Sequence, residues 1–385
     1  MRVVLASHYA LPHLGGIETA LDAFARELAG RGHDVLHVAS AALRPDEPSE
    51  DVSAAAWRPY ALVRVPAVNA LERRAGVPYP LFSPRLLAAL RPRVDRADVV
   101  HAHGYLYLSS LAALGLARRA ASRPVRVLTE HVAQVPYESA LLARAQAAAA
   151  TTVGRATARA AQGLVALNQT VDRELARLAP GRPRLVAGNG VDTARHRPPT
   201  VGERAALRAQ LGWSDGAPRV LFVGRLVAKK GLPIALEAAR RDPGVRLVVA
   251  GPGDPPRDVP PNVELLGALT PGRLADLYRA ADAFLLPSRG EGFPVTAQEA
   301  MASGLPVVLG RDAAYAHHLE GAGPAVRQAD PEAGAVLAAL RPLLDDPAAR
   351  TRASEAAVAH ARTRFSWSKV ADALLGFYAS LAPKR

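Results

Sequence analysis

The chain has 385 residues and a mass of 40.5 kDa, and its 48 Lys plus Arg outnumber 35 Asp plus Glu, for a formal charge of +13. At roughly 150 residues per domain this length holds two hydrophobic cores, and 49% hydrophobic with 22% charged residues is the balance of a folded chain rather than a disordered one. Cysteine is absent, which excludes disulfides, thiolate nucleophiles and Cys-ligated zinc.

The longest apolar stretches, 104–117 and 140–154, are broken by polar residues and fall short of the ~18 residues a membrane span needs. The positive charge favours anionic company such as phosphates, acidic glycans, lipid headgroups or nucleic acid. The cations are nevertheless scattered singly, and aromatics make up only 5% of the chain, so no nucleic-acid partner is expected. Nearly all of the cations are arginine: the lysines are Lys229, Lys230, Lys369 and Lys384.

Residues 3–7 form a β-branched run without the small-residue cleavage pattern of a secretory signal. They read as a buried first strand in a cytoplasmic protein. Residues 17–31 follow with Ile17, Ala20, Leu21, Phe24, Ala25 and Leu28 at helical spacing, a face that packs on a sheet. Further apolar runs at 35–39, 98–102, 125–129, 163–167 and 184–187 read as parallel strands buried on both faces. A hinge is expected near 190–200, where His196, Arg197, Pro198 and Pro199 interrupt both periodicities. A second series follows at 220–223, 247–250, 263–266, 283–286 and 307–309, and Trp367 to Leu381 closes the chain with an amphipathic helical pattern. The fold class is α/β, with two doubly wound domains. Such sheets place ligands outside the carboxyl ends of their strands, so two of them would make a central cleft.

Three stretches carry chemistry. The loop after the first strand enters its helix through Gly15, Gly16, Ile17 and Glu18. Paired glycines let the backbone approach an anion at a helix N-terminus, although a tight turn with no ligand uses the same residues. In the second half, the strand 220–223 runs into Gly224 and Arg225, and Lys230-Gly231 opens the next helix. The guanidinium fork and the ammonium point charge can reach one diphosphate together, the alternative being charges solvated on a loop. The third stretch, Arg289 to Ala300, sets Glu291 in a glycine loop and Glu299 about one turn inside the helix after it. Carboxylates repel a diphosphate but accept paired hydrogen bonds from vicinal diols, which suits sugar and ribose hydroxyls. Capping by Glu291 and an exposed helix face for Glu299 are the other readings.

Gly15-Gly16-Ile17-Glu18, the strand ending at His131, Asn189-Gly190-Val191-Asp192, Gly224-Arg225 with Lys230-Gly231, and Glu291 to Glu299 stand in this order over nearly the whole chain. The set resembles the retaining glycosyltransferases of family 4, although Gly188 stands where that pattern has a proline before the asparagine. The resemblance implies a GT-B fold of two Rossmann-like domains. The first would be the acceptor-binding domain, 1–192 plus a returning helix at about 366–385; the second, 193–365, would bind a nucleotide-sugar donor. It implies that Arg225 and Lys230 neutralise the leaving diphosphate with help from the Gly15 and Gly16 backbone, and that Glu299 holds the ribose diol. Glu291, with the loop Gly292, Phe293, Pro294 and Val295, would hold the transferred sugar. His131 would stand beside that sugar, and the backbone at Gly267, Ala268 and Leu269 would read the base.

The expected activity is metal-independent, retaining transfer of a hexosyl group from a UDP- or GDP-sugar to an acceptor hydroxyl, in envelope or other glycan or glycolipid biosynthesis, with no cofactor. A catalytically silent nucleotide-sugar-binding subunit and a GT-B epimerase or phosphorylase are the alternatives. The acceptor, whether glycan, lipid carrier or small molecule, would meet loops 43–60, 67–83 and 132–142. Arg58, Arg64, Arg73 and Arg74 in and beside them suit peripheral contact with an anionic membrane as well as a solvated basic face.

Overall fold

The computed structural model describes residues 1–13, 16–41, 59–75, 77, 79–132, 139–290 and 292–383. Gly15, Glu291, Arg58 and most of loops 43–60 and 132–142 lie outside the described residues. The chain divides into two compact units, Met1–Asn189 with Val370–Arg385, and Gly190–Lys369. Among the described residues, no helix is long and apolar enough to cross a membrane.

The first unit is built on parallel strands β1 (Arg2–Ala6), β2 (Asp34–Ser40), β3 (Ala61–Val65), β4 (Val99–His103), β5 (Val125–Glu130), β6 (Gly163–Ala166) and β7 (Arg184–Val186). Their order in the sheet is β3-β2-β1-β4-β5-β6-β7. The second unit carries β8 (Arg219–Val223), β9 (Arg246–Ala250), β10 (Val263–Gly267), β11 (Ala283–Leu286), β12 (Val307–Gly310) and β13 (Val326–Ala329), ordered β10-β9-β8-β11-β12-β13. Every pairing in both sheets is parallel. The central strands β4, β8, β11 and β12 are buried along their whole length, because helices cover both faces and leave no solvated side for polar residues.

Two strands lie where the sequence shows no apolar run. β3 and β13 are edge strands that expose part of every side chain except the buried Val65 and Ala329, and they carry Arg64 or the pair Arg327-Gln328 in mid-strand. An edge strand has one neighbour and a wet flank, so polar side chains cost it little.

The helix α1 (Gly16–Gly30) buries Ala20, Leu21, Phe24, Ala25 and Leu28, the face its spacing predicts, except that Ile17 in the first turn is only half-buried. The last helix, α4 (Trp367–Leu381), buries Val370, Ala371, Leu374 and Tyr378. The Tyr378 hydroxyl lies 2.7 Å from Nδ1 of the buried His101 in β4, which ties the C-terminal helix to the first sheet.

In each unit the strand order reverses at one point: beside β1 in the first sheet, and between β8 and β11 in the second. At such a point the loops leaving neighbouring strands diverge to opposite faces and open a crevice at the carboxyl edge.

Candidate active site

At the reversal point of the second sheet, β8 and β11 are direct neighbours, with Val220 opposite Ala283 and Leu221 opposite Phe284. Their loops carry the two strongest motifs, and the structure ties those loops together. The N–H of Arg289 donates to the Lys229 carbonyl at 3.2 Å. Gly231, with φ +79°, lies so close to Pro287 that a Cβ there would strike the Pro287 carbonyl.

Lys229 and Lys230 sit in a 3₁₀ turn, Ala228–Lys230, that Gly231 converts into the start of helix α2 (Leu232–Arg241). The Lys230 stem and Leu286 both lie in van der Waals reach of the Gly224 Cα, 3.6 and 3.8 Å from a methyl built on it. Lys230 therefore lies along the edge between β8 and β11. Arg225 is exposed, and its guanidinium has no hydrogen-bond or ion-pair partner among the described residues.

The neighbouring strand ends are laced by backbone hydrogen bonds. Gly224 N–H donates to Ala250 (3.0 Å), and Gly251 N–H donates to Gly267 (2.8 Å). Gly251 has φ +149°, and a Cβ on it would collide with the Gly224 carbonyl. Gly267 ends β10, with Ala268 exposed and Leu269 half-buried after it. The stretch expected to read a base thus lies on the same edge of the sheet as Arg225, two strands away.

Beyond β11, Gly292 is half-buried, while Phe293 is buried against His318 (ring centroids 5.1 Å, stacked) and Phe365 (5.2 Å). That aromatic anchor holds the approach to helix α3 (Val295–Ala302). Pro294 caps the helix without an N–H, and its carbonyl accepts from Ala297 (3.1 Å) and Gln298 (3.3 Å). The N–H groups of the first turn and the helix dipole make this end electropositive.

Glu299 lies one turn inside α3, its side chain 20% exposed. It is not the open helix face that was one reading of the sequence. The Tyr278 hydroxyl donates to its carboxylate at 3.0 Å, and Nε2 of the buried His196 stands 3.7 Å away. Burial raises the Glu299 pKa to about 7, against the pull of the Tyr278 hydrogen bond, and burial lowers that of His196 to about 4. Near neutral pH the histidine is therefore uncharged, and the Glu299 carboxyl is only partly ionised, with Arg195 the cation that favours its charged form. The carboxylate is left ready to accept hydrogen bonds from hydroxyls.

In the first unit, Gly16 starts α1, and a methyl built on it meets nothing within 4 Å. Glu18, in the first turn, is buried 3.5 Å from His8 Nε2 and 3.9 Å from His13 Nδ1. His13 Nε2 in turn lies 3.5 Å from Glu72, which accepts from the Tyr9 hydroxyl at 2.6 Å. His8 stacks on Tyr107 at 3.8 Å with an interplanar angle of 3°.

His131 follows β5 and is half-buried, with Nε2 3.0 Å from Nδ1 of His103 at the end of β4. Glu130 fixes this turn, accepting from the N–H groups of Tyr105 (2.8 Å), His131 (2.9 Å) and Val132 (3.3 Å). His131 is thus one end of a pair, continued by His101, whose ring centroid lies 4.3 Å from that of His103 and whose Nε2 lies 2.6 Å from the Thr129 hydroxyl. The signal for this was the His101-Ala102-His103 alternation, which puts both rings on one face of a strand.

Burial keeps these imidazoles neutral. The His8 and His101 pKa values fall from 6.5 to about 3, that of His131 to about 4, and that of His103 well below 6.5. The unfolded chain binds protons at these groups below pH 6.5 and the folded chain does not. Their stabilisation is therefore complete above pH 6.5 and is lost as pH falls towards 4. Glu130, raised by burial to about 7, acts oppositely: its contribution is present below about pH 4.5 and is lost as pH rises through 7. Five histidines, His196 included, outweigh two carboxyls, because burial raises Glu299 to about 7 as it does Glu130. At about 1.4 kcal/mol per pKa unit, urea midpoints should reveal a loss on the order of several kcal/mol between pH 7 and 4.5; a flat profile would show that these rings are hydrated in the native state.

Among the described residues, no group of three or more His, Cys, Asp or Glu side chains is arranged to hold a metal ion.

Comparison with known proteins agrees with this architecture. A family model described as Glycosyltransferase Family 4 matches residues 14–195, and one described as Glycosyl transferases group 1 matches residues 203–360. A D-inositol 3-phosphate glycosyltransferase from Acidothermus cellulolyticus is 32% identical over 414 aligned positions, covering 96% of this chain and 87% of the relative. Another protein of that name, from Segniliparus rotundus, is 38% identical, but its match covers 51% of this chain and 48% of the relative. Among solved structures, Anabaena Alr3699/HepE in complex with UDP superposes with a TM-score of 0.73 at 18% identity, over 99% of this chain and 100% of that one. The chain belongs to glycosyltransferase family 4 and has the GT-B fold.

Proposed function

We propose that this glycosyltransferase moves a hexosyl group from a UDP- or GDP-sugar to an acceptor hydroxyl with retention of anomeric configuration, and that it does so without a metal ion or cofactor. The observation that carries this reading is that Arg225, without a side-chain partner among the described residues, and Lys230 stand at the β8–β11 edge of the second sheet, whose β11 loop leads into helix α3 and its half-buried Glu299. A diphosphate on that edge would meet both cations, and a ribose diol would suit Glu299. Gly267, Ala268 and Leu269 are read as the base contact. Gly292, Phe293, Pro294 and Val295, with Glu291, are read as the sugar loop, and the Gly15-Gly16 backbone and His131 are assigned to the transfer step.

As the bond from the anomeric carbon to the leaving phosphate breaks, negative charge grows on the diphosphate and positive charge on the sugar. Arg225 and Lys230 oppose the first, as preorganised charge does in many active sites. Retention follows if the acceptor oxygen bonds the anomeric carbon on the face the phosphate leaves and its proton passes to a phosphate oxygen.

The UDP named for the Anabaena structure favours a uridine donor, and the inositol phosphate named for two relatives makes a phosphorylated polyol the first acceptor to try. Contact with an anionic membrane is the counterpart proposal for a lipid acceptor.

The test incubates the EDTA-treated chain with UDP-, GDP- and ADP-sugars, with and without inositol phosphate, and reads nucleotide release and product anomeric configuration. Acceptor-dependent release with a retained product is expected. No release in any mixture would favour the silent subunit, sugar isomerised without acceptor would favour an epimerase, and activity lost to EDTA and restored by a divalent ion would overturn metal independence.

A further inference from the structure

Four arginines converge on a cavity of about 720 Å³ in the first unit, lined by Arg118, Arg126, Arg159, Arg182 and the chain at 179–181. They come from unconnected places. Arg118 ends the helix Leu108–Ala117, Arg126 is the second residue of β5, Arg159 lies in the last turn of Arg155–Ala160, and Arg182 follows the left-handed turn at Gly181.

No acidic residue lines the cavity, and none of the four makes an ion pair with a described residue. The nearby Asp172 is engaged by Arg184 at 2.8 Å. Two of the guanidiniums are held in place by carbonyls of one helix end: Arg126 Nε donates to Ala160 (3.0 Å) and Arg182 to Arg159 (2.9 Å). A helix C-terminus supplies about half an elementary negative charge, far short of four cations. The imbalance is felt at Arg126, whose pKa is lowered by burial and by Arg182 and Arg118.

Guanidinium forks match phosphate oxygens two at a time, and several around one concavity match a dianion. We propose that this cavity binds a phosphate-bearing ligand, a phosphomonoester or diphosphate group with at least two negative charges. The cavity is lined by residues of the first unit alone, and His131 is not among them. Arg126 is the second residue of β5 and His131 follows the strand, five residues on, which at ~3.3 Å per residue is about 16 Å. The group would arrive on a soluble metabolite or as a phospholipid headgroup.

The experiment uses the full chain carrying Arg225→Ala and Lys230→Ala, so that a diphosphate cannot report on the second unit. Inorganic pyrophosphate is titrated by calorimetry, and vesicles of phosphatidylcholine with and without phosphatidic acid are co-sedimented. Arg118→Ala with Arg159→Ala, both exposed positions, should weaken binding on the order of tenfold per guanidinium. Arg119→Ala with Arg155→Ala, exposed arginines outside the cavity that remove the same charge, should leave it unchanged. Binding of pyrophosphate identifies a soluble ligand, and binding only of phosphatidic acid vesicles identifies the headgroup. Absence of binding to either probe, or equal loss in both double variants, would overturn the proposal.

Discussion

Lys230→Ala is expected to lower turnover by about 10²- to 10³-fold while the protein stays folded. That is the usual loss when one preorganised partner of a developing charge is removed. The side chain belongs to no hydrophobic cluster, and its stem lies along Gly224 and Leu286 at a strand end, so the unfolding free energy should fall by no more than about 1 kcal/mol. If the ammonium acts on charge that appears as the phosphate departs, kcat falls more than KM rises. Lys230→Arg should restore only part of the rate, because a planar fork cannot occupy the place of a compact point charge. A near-normal kcat for the alanine variant would remove Lys230 from the chemistry and leave Arg225 as the sole cation of the reading.

Gly231→Ala, one residue on, should act on folding instead. The residue has φ +79°, where a side chain costs roughly 1–2 kcal/mol, and the new methyl would press on the Pro287 carbonyl. A backbone carbonyl held by the β11 strand end cannot swing away as a flexible side chain would. Crowding of this kind adds roughly 1–3 kcal/mol, for a total of about 2–5 kcal/mol, a large part of the stability of an ordinary domain. Chemical unfolding should show this loss, and because Gly231 holds the Lys230 turn against the β11 loop, donor binding should weaken in whatever chain remains folded. Gly244→Ala, where the nearest atoms are the ends of the Asp242 and Arg341 side chains, is the comparison and should be mild. Equal effects at the two sites would show that the contact with Pro287 yields.

Parallel strands covered on both faces must be apolar throughout, and the turns after them must bend sharply. Runs such as 220–223 and 283–286, and the glycine motifs that follow them, were therefore legible without coordinates. Edge strands need not meet the first condition: Ala61–Val65 and Val326–Ala329 carry arginine in mid-strand and were not read, whereas the edge strands Arg184–Val186 and Val263–Gly267 kept enough apolar residues to be seen. Among the candidate site residues, the strand-end or helix-start positions of Arg225, Lys230, Glu299 and His131 were legible because such positions are local features. Their surroundings were not: Tyr278 reaches Glu299 from 21 residues away, and His103 reaches His131 from 28.

Residue order alone determined the α/β class, the two series of strands and the loops that bear charge. Only the tertiary structure decided that the loops after β8 and β11 touch, that Glu299 is half-buried beside a neutral histidine, and that four arginines scattered over 118–182 meet around one cavity. The reason is the range of the forces involved. Periodicity and turn chemistry act over a few neighbouring residues, whereas desolvation and charge depend on whatever the fold packs within a few ångströms, however far away it lies in the chain.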